Sequence, residues 1–149
     1  MTGDIAGLIP RPSHVPDADL LDALPRFRLL VVEDNPETKM LVQRMLRPHC
    51  EVSVAPSFDA AIEAFSQAMF DLCLIDINLG EERSGIDLLE RLRSFPRRTP
   101  FYAVAFTAYA LPSDRARFMA EGFDDYLAKP FMRSDFTDLL HRAYQARPA

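Results

Sequence analysis

The chain has 149 residues, with 17 Lys plus Arg against 22 Asp plus Glu and a formal net charge of −5. That length suits one domain that buries roughly two-thirds of its unfolded surface, and 48% apolar with 26% charged residues is ordinary for a globular protein. The acidic balance argues against nucleic acid as a partner. No apolar run approaches a membrane span, and Asp4 stands where a secretory signal would be basic. Cys50 and Cys73 are the only cysteines. Cys73 falls inside an apolar run and reads as a small buried hydrophobe, so a reduced, cytoplasmic protein is expected.

Residues 1–25 are punctuated by Pro10, Pro12, Pro16 and Pro25 and predict an extended or mobile tail ahead of a folded domain over residues 26–146. Leu20, Leu21 and Leu24 make a short patch there, either a docking element or part of a solvated leader. From Phe27 the chain alternates. Phe27–Val32 is too short for a helix and ends in acids. Asn35 then Pro36 start a first helix, a capping side chain followed by proline at the first helical position. Its buried stripe is predicted at Met40, Leu41, Met45 and Leu46, and Pro48 ends it. Val52 and Val54 mark a second strand. Ser57 caps a second helix with Ala61, Ile62 and Phe65 inward. Leu72–Ile75 is a third strand. Ile86, Leu88, Leu89 and Leu92 are expected to face inward from a third helix. Phe101–Phe106 is a fourth strand. Ser113 is expected to cap a fourth helix carrying Ala116, Phe118 and Met119, ended by Gly122. Asp125–Ala128 is a short fifth strand, and Phe136, Leu139, Leu140 and Ala143 give a fifth helix.

Five strands alternating with five helices predict an α/β fold with a parallel sheet covered on both faces. Right-handed crossovers leave few windings. One is the flavodoxin-like (βα)5 doubly wound order 2-1-3-4-5, which binds ligands at the carboxyl ends of its strands. Polar residues fall at that edge. Glu33 and Asp34 follow the first strand, Asp76 the third and Thr107 the fourth, while Lys129 precedes Pro130 after the fifth. Adjacent carboxylates repel unless a hard cation such as Mg²⁺ relieves them, though solvated loop acids look the same in sequence. Asp76 suits a nucleophile toward phosphorus, or equally a cap for the turn Asn78-Leu79-Gly80. A hydroxyl at Thr107 and an ammonium at Lys129 suit phosphoryl oxygens. Lys129–Pro130 is a candidate cis peptide.

Taken together these groups resemble the receiver domain of two-component response regulators. The segments that carry the resemblance are LLVVEDN (Leu29–Asn35), LCLIDINL (Leu72–Leu79), AFTA (Ala105–Ala108) and GFDDYLAKPF (Gly122–Phe131), and it spans about residues 27–145. The resemblance implies Mg²⁺ held by Glu33, Asp34, Asp76 and the backbone carbonyl of Asn78. It implies Asp76 as phospho-acceptor, Thr107 and Tyr126 as switch residues, and Lys129 pairing with phosphate. Its partners would be a histidine kinase or histidine phosphotransfer protein that offers a phosphohistidine. A downstream protein would read the surface around the fourth helix, fifth strand and fifth helix, by a population shift. Two features depart from the common pattern: Gly80 stands where many members have proline, and the loop Gly80–Gly85 is about one residue longer. Water reaching an aspartyl phosphate would pass Asn78 and Tyr109, two residues after Asp76 and two after Thr107. Both are expected to tune its lifetime.

The expected class is a phospho-accepting signalling protein, not an enzyme with a separate substrate. Two alternatives stand. One is a constitutive protein-binding module of the same fold. The other is a haloacid-dehalogenase-type phosphatase, whose chemistry wants a second Asp where this chain has Asn78. Only Gln145–Ala149 follow the last predicted helix, with no basic helix-turn-helix, so a stand-alone receiver is expected. Relay, phosphate sink and allosteric output all fit. Homodimerisation through the last two strand–helix units is open, because Arg115, Arg117, Asp135 and Arg142 read equally as a solvated charged face. His14, His49 and His141 fall outside the motifs.

Overall fold

The computed structural model describes residues 26–96, 100–108 and 111–146. The tail expected over residues 1–25, with its leucine patch, lies outside them, and so does Tyr109. Short apolar runs become strands: β1 (Phe27–Val32), β2 (Cys50–Ala55), β3 (Leu72–Asp76), β4 (Tyr102–Thr107) and β5 (Asp125–Ala128). They form one parallel sheet in the order β2-β1-β3-β4-β5, the order the alternation predicts. Each strand is followed by a helix: α1 (Pro36–Leu46), α2 (Phe58–Gln67), α3 (Gly85–Arg93), α4 (Pro112–Ala120) and α5 (Arg133–Gln145).

The central strand β3 is buried at every position because the sheet is covered on both sides, whereas the edge strand β2 exposes Glu51 and Ser53. Side chains alternate, so each strand feeds two cores. Leu30, Cys73 and Ala103 pack with Phe65 of α2, Leu88 of α3 and Phe118 of α4. Leu29, Val31, Leu74 and Val104 pack with Val42 and Leu46 of α1 and with Leu139 of α5. Register aligns these layers, with Val31 beside both Val54 and Leu74, and Leu74 beside Val104.

Most predicted caps are present. The Asn35 side chain accepts from the Thr38 N–H at 2.9 Å, and Ser57 Oγ accepts from the Ala60 N–H at 3.1 Å. Gly122, at φ +109°, closes α4.

Several expectations are corrected. On α1, Met40 and Leu41 are 59% and 47% exposed. The buried pair is Val42 and Leu46, one turn apart, because the continuous run Met40-Leu41-Val42 admits more than one helical phase. Ser113 does not cap α4. That helix begins at Pro112, whose fixed φ suits the first position, and the Asp114 carboxylate accepts the Leu111 N–H at 3.3 Å. Ala116 is exposed. Nor are Asp135 and Arg142 simply solvated: Asp135 accepts the Met132 N–H at 2.6 Å, and Arg142 pairs with the buried Asp125 at 2.7 Å.

Candidate functional site

The strand ladders continue past the strands and carry the polar residues with them. The Glu33 N–H donates to Ala55 O at 3.1 Å, Ile77 N–H to Phe106 O at 3.2 Å, and Lys129 N–H to Thr107 O at 2.8 Å. The loops leaving β1, β3 and β5 are thereby pinned at one edge of the sheet, its carboxyl edge.

Three acids converge there. Glu33, Asp34 and Asp76 each bring a carboxylate oxygen within 4.8 Å of the other two. Glu33 and Asp76 are 1% and 5% exposed, while Asp34 faces solvent. Lys129 Nζ reaches across to both buried acids, 2.6 Å from Glu33 Oε1 and 3.1 Å from Asp76 Oδ2. It also sits 4.5 Å from the centre of the Phe106 ring, where the π face favours a cation. The Lys129–Pro130 peptide is cis.

Electrostatics divides the two buried acids. Burial pushes the Asp76 carboxyl up to about 6, and the neighbouring Glu33 charge adds to the rise against the opposing pull of Lys129. For Glu33, burial would raise the value, but the Lys129 hydrogen bond and the Asn35 N–H at 3.0 Å outweigh it and hold the carboxyl below its ordinary range. Burial opposes the Lys129 charge, yet the Glu33 hydrogen bond and Asp76 raise its pKa, so it stays protonated. One ammonium against three carboxylates leaves the cluster negative when all are ionised. Hard oxygen donors with one water-facing member suit a small hard cation that keeps several waters, which is Mg²⁺ chemistry.

Asp76 caps the turn that follows it, its Oδ1 accepting the Asn78 N–H at 2.9 Å, while Oδ2 faces Lys129. The Asn78 side chain in turn accepts the Gly80 N–H at 3.1 Å. Thr107 ends β4 with 2% exposure. Tyr126 is half-buried, its ring stacked near Phe118 at 6.2 Å between centroids. Two glycines permit the close approach. Gly80 has φ +71°, and a Cβ there would come within 2.9 Å of Asp34 Oδ2. A Cβ on Gly85 would lie 2.2 Å from the Asp76 backbone oxygen, so α3 can start only with glycine at that point. Sequence reasoning missed Gly85; the signal was a glycine directly after Ser84, whose Oγ caps α3 by accepting the Ile86 and Asp87 N–H groups.

A second polar cluster, also missed, ties the lower ends of β4 and β5 to α5. Asp125 is 4% exposed; its Oδ2 accepts from Tyr102 Oη and from Arg142 Nε, each at 2.7 Å.

The chain belongs to the response regulator receiver domain family, which it matches over residues 29–141. It is 34% identical over 111 residues to an uncharacterized 14.6 kDa protein in the sodA1 3′ region of Leptolyngbya boryana, covering 74% of this chain and 84% of that one. It is 30% identical over 123 residues to the sensor histidine kinase GacS of Pseudomonas protegens, covering 80% of this chain but 13% of that protein. Among solved structures it superposes on a CheY-like response regulator receiver domain from Methylobacillus flagellatus with TM-score 0.72 and 26% identity, covering 80% of this chain and 99% of that one. Among the described residues no helix is long and apolar enough to cross a membrane.

Proposed function

We propose that this protein takes a phosphoryl group from a phosphohistidine onto Asp76 and passes the change to a partner protein. The observation that carries the reading is Lys129 shared between Glu33 and Asp76, beside a three-carboxylate cluster at the carboxyl edge of the sheet. Glu33, Asp34 and Asp76, with the Asn78 carbonyl, would hold Mg²⁺, which supplies positive charge to the phosphoryl oxygens. Asp76 Oδ attacks phosphorus in line; the new O–P bond forms as the P–N bond breaks, and the imidazole nitrogen keeps the electron pair. At neutral pH the Asp76 carboxyl, shifted to about 6, is largely ionised and ready to attack. Lys129 transfers one of its contacts from the carboxylate to a phosphoryl oxygen, as a point charge.

Thr107 lies on the same side of the sheet as Ala103 and Ala105, where Tyr126 also packs. A hydroxyl drawn toward phosphate would open space for that ring and bias the surface of α4, β5 and α5 between two states. Asn78 and Tyr109 would then set how fast water reaches the acyl phosphate. We assign residues 26–146 to this unit and residues 1–25 to a tail. A histidine kinase or phosphotransfer protein is the natural donor, and free thiols at Cys50 and Cys73 suit the cytoplasm. Incubation with a labelled phosphohistidine donor tests the reading. Label should enter only with Mg²⁺, leave with hydroxylamine as an acyl phosphate does, and never enter Asp76→Asn. Label on another residue, or none with any donor, would overturn it.

A further inference from the structure

The loop between β3 and α3 is tied to the first turn of α2. Glu81 Oε2 accepts the Phe58 N–H at 3.2 Å, an amide that α2 itself leaves without an intrahelical partner. Arg83 sits over the Phe58 ring, its Cζ 3.8 Å from the centroid, and reaches Asp59 at 3.1 Å and Glu81 at 3.4 Å. Asp59 is 82% exposed, so that ion pair alone contributes little. The stack and the capped amide do more, because both depend on the loop's position. The same loop begins at Asn78, whose side chain holds Gly80, and Gly80 packs against Asp34.

We propose that Glu81 and Arg83 latch this loop onto α2 and are positioning residues for the cation site, so that cation binding and order in the first turn of α2 are coupled. The coupling rests on the proposed Mg²⁺ site. The path is short: Phe58 and Asp59 to Glu81 and Arg83, then Gly80, which lies against Asp34 and is held by Asn78, and Asn78 in turn donates to Asp76. Linkage makes the effect reciprocal. A cation that fixes the loop slows opening of the α2 first turn, and a broken latch weakens the cation.

Charge alone predicts the opposite sign, which makes the latch testable. Removing Arg83 takes a positive charge from the neighbourhood of an acidic site and would tighten a divalent cation. The latch predicts that Arg83→Ala weakens Mg²⁺ by about fivefold, a coupling of ordinary size. For Glu81→Gln, charge alone predicts weaker binding. The latch predicts near-wild-type affinity, because the amide oxygen still accepts the Phe58 N–H, whereas Glu81→Ala loses it.

The experiment is Mg²⁺ titration by calorimetry on the full chain and these three variants, with hydrogen exchange at residues 58–62 with and without Mg²⁺. Weaker binding in Arg83→Ala and Glu81→Ala but not Glu81→Gln, with Mg²⁺-slowed exchange seen only where the latch survives, supports the proposal. Unchanged or tighter binding in Arg83→Ala overturns it while leaving the cation site intact. Failure of the wild type to bind Mg²⁺ overturns the proposal and the cation site together.

Discussion

Replacing Asp76 by Asn in protein stripped of divalent cations is expected to stabilise the fold at neutral pH. The Asp76 carboxyl is raised from 3.8 to about 6, chiefly by burial and then by Glu33. The native state therefore holds the proton more tightly than the unfolded chain does. Such a group stabilises fully below 3.8, and that contribution is lost as pH rises through about 6. Two pH units correspond to roughly 3 kcal/mol at 1.36 kcal/mol each. Glu33 and Lys129 share the same charges, which lowers the expected gain for Asp76→Asn to about 1–2 kcal/mol at pH 7.5. Asn still offers an oxygen to the Asn78 N–H. Urea unfolding at a series of pH values in chelator is the assay. The gain should shrink between pH 6 and 4. Glu33 works in the opposite direction, its depressed pKa contributing stability that is lost only as acid reaches it, below its ordinary 4.5. Added Mg²⁺ should raise the wild type more than the variant, because the proposed ion would bind the native state of one and would lack a ligand in the other. A less stable Asp76→Asn at pH 7.5, or a gain independent of pH, would refute the electrostatic account of the cluster.

Three further outcomes follow from the geometry. Lys129→Ala should bind Mg²⁺ more tightly, since a competing cation 2.6 Å from Glu33 is gone, yet accept phosphate more slowly. Titration calorimetry beside a phosphorylation time course separates the two effects, and weaker Mg²⁺ binding would contradict the competition. Gly80→Ala places a methyl 2.9 Å from Asp34 Oδ2 at φ +71°, and about 1–2 kcal/mol of lost stability is expected from that strain. Equal stability in urea would show that the loop relaxes freely. Asp125→Ala strips the acceptor from Tyr102 and Arg142 and should cost about 2 kcal/mol, below the full price of a broken buried pair because the Arg142 side chain is 48% exposed and regains water. A double-mutant cycle with Tyr102→Phe measures the shared part, and a loss under about 0.5 kcal/mol would exclude a structural role.

The sheet was readable because its signals are local and strong. Leu72–Ile75 is unbroken apolar sequence between polar flanks, and an edge where five such runs end must collect whatever follows them. Glu33, Asp34, Asp76, Thr107 and Lys129 follow from chain order alone. Features made by long-range contacts were harder to see. Asp125 looked like the polar start of a short strand until Tyr102 and Arg142 came to it from 23 and 17 residues away. Glu81 and Arg83 carry no sequence signal of their contacts, because nothing in their neighbourhood points to Phe58 of the preceding helix. The stripe of α1 was misphased because Val42 sits within a run of three apolar residues, and only packing against the sheet selects it. Gly85 resembled any glycine at a helix start, whereas its backbone in fact runs against Asp76.

The most direct test of the central claim is the intact mass of the full chain after incubation with a small-molecule phosphodonor and Mg²⁺, followed by mapping of the modified residue. One phosphoryl group on Asp76, lost with chelator and absent from Asp76→Asn, is the predicted result. An unmodified wild type that is folded and binds Mg²⁺, and that also refuses phosphate from a phosphohistidine protein, would contradict it and leave a receiver fold that acts by contact alone.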